Sequence, residues 1–579
     1  MKKKLLLLAV PFLSLVSCQS TNGGEIGDYV SYLTDKDSGT ATIRIFKDES
    51  ATSKNRYISP KNVELSMDYN TISGTLSNNE NVCPSVGDVN ILVIPVHLPG
   101  SEFNTPEIKE DIETAFFGKE DDRNGYMSLT EYYYESSFGK LNFQGFVTDW
   151  FDVTKHTNIK ELSDITMGSN GTIITEILRE AVDWAFSNSE YNLDRKDFDK
   201  NQDGSIDAVW MIYDHYNYFN QYALDPNSSA EDLNEAFWNF TSWDWYGLEP
   251  NVDVPTTSGF SWASFDQLYS AYADYDDNEV PDFSDFSSIP LDSHTYIHET
   301  GHLLGLDDLY TSDGRRPTGS SNMMDQNVGD FDPYSKLALG WITPYVVYGS
   351  SEILIPYNTY NDHSVIVIPS NYEEISREIE RLTVAQKANY VYEFNPFSEY
   401  ILIDLYSPLG VAYQDTYGNS QDGLLVHGRE ACVADTGVRI FHVDSRIFKC
   451  RVVSSALGTT LYWDYNNLEW DGEQLADNEA IIMAISNERN ESQSFQLDES
   501  YNYFERCRLL EANGTNTFDL SGLTSQYASR ETLWNVDSKD FDILTFGYQF
   551  FNGSYTYNDG SQLPFKISVE TLQGVQNNG

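Results

Sequence analysis

The sequence predicts a mixed α/β (α+β) unit followed by an all-β, sandwich-like C-terminal region. Three observations carry this. The stretch "GTIITEILREAVDWAFSN" places Ile173, Ile174, Ile177, Leu178, Ala181, Val182 and Ala185 at helical spacing, with one apolar face. Strand-like runs lie on either side of it, "NILVIPVHLPG" and "AVWMIYDHY". Beyond about Pro344 the pattern changes to "SVIVIP", "EYILIDLY", "GVRIFHVD", "EAIIMAIS", "DILTFGYQF" and "FKISVETL", short β runs separated by Asn, Gly and Asp turns. No internal repeat is visible.

Taken in order, "MKKKLLLLAVPFLSLVSCQS" has a basic start, an apolar run too short to span a bilayer comfortably, and then small residues, the pattern of an export signal. Its "LVSC" resembles the lipobox of bacterial lipoproteins, which implies cleavage before Cys18 and a lipid on its sulfur. An ordinary signal peptide with an incidental cysteine is the alternative, and both export the chain. The expected location is the extracellular side of a bacterial membrane, anchored by lipid and not spanning. The expected divisions are a signal over 1–18, a polar region or pro-segment over 19–86 with the alternating "TATIRIF", a mixed unit over 87–345, and β-rich material over 346–579. Pro95 suggests that the strand in "NILVIPVHLPG" ends there or lies at an edge. "SLTEYYYESSFGKLNFQGFVTDWF" predicts a helix, a glycine break and a strand.

With 579 residues the chain is too long for one core, and 40% hydrophobic residues with 39 Tyr and 31 Phe suffice to fill several. A formal charge of −53 repels phosphate backbones and argues against a nucleic-acid partner. It suits a soluble surface or calcium uptake equally. Outside the cytoplasm, Cys83, Cys432, Cys450 and Cys507 can form up to two disulfides. Cys432 and Cys450, flanking "GVRIFHVDSR", are the expected pair.

The chemistry concentrates in "HETGHLLGLDDLY". "LDSHTYIHETGHLLGL" predicts a helix starting near Asp292 or Ser293 and ending at Gly305. On it His298 and His302, four apart, share a face and can offer two imidazoles to one ion. Glu299, one step round, can reach a metal-bound water and take its proton as that water attacks a carbonyl. A turn at Gly305 swings back a residue three positions later, which makes Asp308 the third ligand and points Asp307 elsewhere. A core helix with incidental histidines is the alternative. His294, four before His298, reads as a partner behind the ligands or a packed core histidine, since catalytic zinc keeps one position open.

This extended HExxHxxGxxD segment resembles the zinc site of the metzincin clan. Its Asp form, with Gly301 and Tyr310, resembles the immune-inhibitor-A-type metallopeptidases, which are secreted bacterial enzymes. "SSNMMDQNVGDFDPYSKLALGWITP" is similar to their Met-turn and S-K-x-x-L-G-W segment. "YNLDRKDFDKNQDGSIDAVWMIY" and "GVRIFHVDS" are similar to their Asp-rich turn and H-V-D strand. The likeness covers most of 88–445. It implies a metzincin-like zincin fold, with Zn2+ on His298, His302 and Asp308, Glu299 as general base, and Met324, in preference to Met323, as an apolar floor. Where related sequences carry Tyr two residues after that Met, this chain has Gln326. Tyr310 and Tyr334 are the candidates for the role such a phenol plays opposite the metal.

A second loop, "DKNQDGSID", puts Asp199, Asn201, Asp203, Gly204, Ser205 and Asp207 at calcium-loop positions, with Trp210 where a bidentate Glu belongs. It reads as a calcium-braced turn or as a solvated acidic one. Cys83 could latch the open zinc position as a thiolate, but a disulfide or a free thiol is the plainer reading. His442 and Asp444 share a strand face with no nucleophile beside them, so a structural hydrogen bond is expected. Together these readings predict an exported, lipid-anchored zinc endopeptidase acting on protein or peptide substrates. The alternative is a surface binding protein or adhesin with a degenerate peptidase domain; a non-peptide hydrolase has no direct support.

Overall fold

The computed structural model describes residues 38–573 outside the intervals 48–54, 65–81, 119–122, 156–170, 218–219, 221–237, 245–247, 275–279, 312–313, 359–363, 388–394, 418–424, 427–428, 431, 456–457, 464–478, 485–486, 488–504, 520–526 and 550–554. The export signal and Cys18 therefore lie outside the described residues. The molecule is mixed α/β, built on several sheets. No helix among the described residues is long and apolar enough to cross a membrane.

In chain order the strands that matter here are β1 (Ser38–Phe46), β2 (Tyr57–Ile58), β3 (Gly87–His97), β4 (Leu141–Val147), β5 (Val209–Tyr213), β6 (Phe240–Trp243) and β7 (Gly259–Ser264). They continue as β8 (Thr343–Val347), β9 (Ser351–Asn358), β10 (Ser364–Pro369), β11 (Glu399–Tyr406), β12 (Gly437–Asp444), β13 (Cys507–Leu509), β14 (Phe541–Asp542) and β15 (Lys566–Gln573).

The first sheet has the order β4-β3-β5-β7-β6, parallel except for the antiparallel outer strand β6. β3 is central and runs through Pro95, contrary to the expected edge or end. The reason is a gap in pairing. Odd residues of β3 bond towards β4, where Thr148 N–H donates to Val93 and Val153 N–H donates to His97. Pairing with β4 stops at Val93 and resumes with Phe151 at Val96, so the missing N–H of Pro95 falls where no partner stands. Helix Gly171–Ser187 covers one face of this sheet through Ile174, Ile177, Leu178, Ala181, Val182 and Ala185. The other face meets the largest core, which holds the helix His294–Leu303.

A second sheet, β13-β12-β11-β10-β8-β2, is apolar on both faces. Val365, Val367, Tyr400, Leu402, Phe441 and Val443 join the same core as that helix. Their alternating neighbours Ile366, Ile368, Ile401, Ile403, Val438 and Ile440 enter a separate core with the third sheet, β9-β1-β15-β14. Burial on both faces explains why "SVIVIP" and "EYILIDLY" lack polar alternation. This sheet is a wall shared by both halves of the molecule, and β8 runs across the boundary expected at 345. β1, from the region expected to be a linker or pro-segment, lies between β9 and β15.

Three expectations are corrected. The C-terminal half is not all-β: helix Tyr372–Arg381 buries Tyr372, Ile375 and Ile379 at helical spacing. "DILTFGYQF" is not a strand, because the Asp542 carboxylate caps Leu544 N–H and starts the short helix Ile543–Phe546. Cys432 is a free, buried thiol and so does not pair with Cys450.

Candidate metal centre

The helix His294–Leu303 lies on the first sheet, where Trp210 Nε1 of β5 donates to Thr300 Oγ1 at 3.0 Å. Its start is held by Asp292, whose carboxylate accepts from His294 N–H at 3.3 Å, while Ser293 turns its hydroxyl to Met127 O. Its end is a Schellman turn: Gly305 N–H donates to His302 O and Leu306 N–H to Gly301 O. Gly305, at φ +90°, takes the left-handed conformation expected of it.

That turn brings Asp308 back onto the helix. Asp308 Oδ1 lies 3.1 Å from His298 Nε2 and 3.4 Å from His302 Nε2. His298 Nδ1 bonds the Met323 carbonyl at 2.8 Å and His302 Nδ1 bonds the Leu306 carbonyl at 2.9 Å. A carbonyl can only accept, so each Nδ1 carries a proton, and in its neutral form each ring turns a bare Nε2 lone pair inward. Asp308 Oδ1 is buried and finds no donor there. With both rings neutral, three acceptors face one another, an arrangement a cation would satisfy.

The donor set of two imidazoles and one carboxylate suits Zn2+ with a position left open. At bond lengths of about 2.0–2.1 Å, tetrahedral ligands stand about 3.3 Å apart, close to the spacings seen. Among the described residues this is the one group of three or more His, Cys, Asp or Glu side chains so gathered. Without a metal, protons take its place. Burial opposes an imidazolium at His302, yet Asp308 raises it to about 10. Burial likewise opposes charge on Asp308, but His298 and His302 more than offset it and hold its carboxyl well below the usual carboxylate range.

Glu299 is buried beside the triad, with Thr241 Oγ1 of β6 3.1 Å from its Oε2. Burial raises its carboxyl, partly offset by the two imidazoles. Met324 packs beneath the helix: a Cβ on Gly301 would meet its Sδ at 2.6 Å. Leu309 N–H donates to Met324 O at 2.8 Å, joining the metal loop to this floor. Of the two candidate tyrosines, Tyr334 is buried in the main core, whereas Tyr310 lies beside Asp308 under the Arg316 guanidinium, 5.1 Å from its ring centre. Burial, and the negative Asp308 beside it, push that phenol up. Gln326 ends the short helix Met323–Gln326.

Asp307 turns away and pairs with Arg506 at 3.1 Å. His294 is no ligand: it is buried between Asp292 (2.5 Å) and Asp415 (3.1 Å), stacked on Tyr126. Burial opposes its charge, but the two carboxylates raise it to about 10. The Cys83 thiol is buried in the core, donates to Pro84 O, and does not join the triad. His442 bonds Glu399 at 2.8 Å and Asp444 pairs with Arg446, a buried structural network.

The acidic loop is arranged differently. Asp199 accepts the amides of Asp203 and Gly204, each at 3.0 Å; Asp203 accepts Ser205 N–H at 2.8 Å; Asp207 accepts Lys200 N–H at 2.7 Å. Asn201 Nδ2 donates to Asp203 at 2.7 Å. Backbone and side-chain donors thus occupy these oxygens, and Asp199, Asp203 and Asp207 do not gather as the zinc-type triad does. Burial first, then Asp199 and Asp203, raise Asp207 to about 7.

No family model matches the chain, and no curated protein matches it either. Thr241, Asp415, Asn487 and Arg506 carry no local signal in the sequence; only the fold brings them to the centre.

Proposed function

We propose that the protein is an exported, lipid-anchored zinc endopeptidase whose catalytic unit has a metzincin-like zincin fold and is followed by a two-sheet, sandwich-like region. One observation carries this reading: two imidazoles and Asp308 face one another as acceptors, beside a buried Glu299 on the same helix. When bound, Zn2+ supplies an acidified water and polarises a substrate carbonyl. His298, His302 and Asp308 hold the ion. Glu299, one residue round from His298, takes the proton of the attacking water and returns it to the leaving amine. Its raised carboxyl suits it to both tasks, and Thr241 fixes one oxygen.

Peptide as substrate is favoured by β6, the outermost strand of its sheet among the described residues. Its outer edge, unpaired among the described residues, can pair with an extended chain next to Thr241 and Glu299. Ca2+ on Asp199, Asn201, Asp203, Ser205 and Asp207 belongs to this reading on the sequence pattern of that loop.

The test is casein or a peptide library incubated with purified mature protein, wild type and Glu299→Ala, with and without chelator. Cleavage by wild type alone, abolished by chelation, is expected; the substitution should cost about 10²–10⁴-fold while zinc is retained. Zinc held by both proteins with cleavage by neither would sink the peptidase reading and favour a surface binding protein.

A further inference from the structure

We infer that the C-terminal half helps build the metal centre, with Asn487 and Arg506 on one side and Asp415 on the other acting as positioning residues for its ligands. The inference rests on the proposal that the triad holds zinc. Asp308 sits in a loop without regular structure and must keep one oxygen within 3.1 and 3.4 Å of two rings on a helix. The residues on both sides of it are gripped from the far half of the chain. Before it, Asp307 pairs with Arg506 at 3.1 Å. After it, the Leu309 carbonyl accepts from Asn487 Nδ2 at 2.8 Å.

Both grips are rooted on the shared wall. Asn487 is fully buried, and its amide also bonds Cys507 of β13 twice, Nδ2 to the carbonyl at 2.9 Å and Oδ1 from the N–H at 3.0 Å. Arg506 precedes that strand, and its carbonyl accepts from Asp444 N–H of β12. At the other end, His294 is the first residue of the metal helix. Asp415, from the short helix Ala412–Tyr417, holds its Nε2 and also accepts Gly329 N–H, just after the Met324 floor. The metal helix and loop are therefore fixed at both ends by residues more than a hundred positions away. A ligand set needs this, since displacements of about 1 Å degrade it.

The experiment measures zinc dissociation constants of the full chain by competition with a chromophoric chelator at fixed pH. The visible spectrum of the Co2+-loaded protein gives a second readout of ligand geometry. Asn487→Ala should weaken zinc about 10–100-fold, and Arg506→Met and Asp415→Asn about tenfold, each with an altered Co2+ spectrum. Arg439→Met is the control: it breaks a buried pair with Asp404 on the same wall, and should lower thermal stability without weakening zinc. Asp307→Asn, at the exposed end of one grip, keeps the test readable should the buried variants not fold, with an expected loss of about threefold, below the roughly 10–100-fold typical of outer partners because this end of the pair is open to solvent.

Wild-type affinity and spectrum in Asn487→Ala and Arg506→Met, or in Asp307→Asn where those do not fold, would overturn the inference. So would equal weakening in Arg439→Met, which would show a generic loss of stability. A wild-type chain that holds no zinc would instead fail the proposed function itself.

Discussion

Two loops of this chain carry metal-site patterns, and the fold treats them oppositely. At the helix 294–303 and the loop after it, the Met323 and Leu306 carbonyls accept from the far nitrogens of the two rings, leaving the near nitrogens turned towards Asp308 Oδ1. At 199–207, the loop's own amides donate to the carboxylates and close the turn. Spacing of oxygen- and nitrogen-bearing residues is common to both. What separates them is where the donors are spent, because an acceptor already bonded to an amide gains less from a cation.

The sharpest way to break this contrast is at the third ligand. Asp308→Ala should abolish zinc retention, whereas Asp307→Asn should keep it with only the slight loss given above. Equal loss in both, measured by metal content after dialysis, would refute the assignment.

The acidic loop should respond through pH and calcium. The Asp207 carboxyl is raised in the fold, so the proton stabilises the folded form. Stability in chelator should therefore decline as pH rises from about 4 to about 7, and Asp207→Asn should remove that decline. Calcium, if it binds, should restore stability above pH 7 far more than at pH 5. Melting curves at pH 8 with no calcium effect would leave the loop a plain turn.

A third test concerns the helix start. His294 is raised to about 10, so its contribution is fully present below about pH 6.5 and is lost as pH climbs through about 10. Asp415→Asn should lower stability near neutrality and flatten that loss; a profile unchanged from wild type would remove the ion pair as its cause. The smallest effect is expected at Gly301→Ala, where the new methyl group meets the Met324 thioether. Overpacking there should cost about 1–3 kcal/mol in chemical denaturation, with zinc still bound.

Much of this was legible locally. The metal helix, its Gly305 stop, the return of Asp308 and the amphipathic Gly171–Ser187 helix follow from periodicity and backbone chemistry within a few residues. Legibility failed where a distant partner decides. Pro95 reads as an edge residue unless the gap between two neighbouring strands is known. Tyr372–Arg381 does not read as a helix because its three buried apolar residues sit among charges, and flanking one strand does not decide whether Cys432 and Cys450 meet.

The sequence by itself determined which side chains are the candidate ligands and their order on a helix and turn, because helix geometry and the left-handed glycine act over one or two turns of chain. Only the tertiary structure decided that those side chains face one another, that Tyr310 and not Tyr334 stands beside Asp308, and that both halves share one sheet. Those outcomes depend on side chains such as Thr241, Asp415, Asn487 and Arg506, whose distance along the chain carries no periodic or local signal. Packing a sheet on both of its faces is what brings the C-terminal residues among them to the metal helix and its loop.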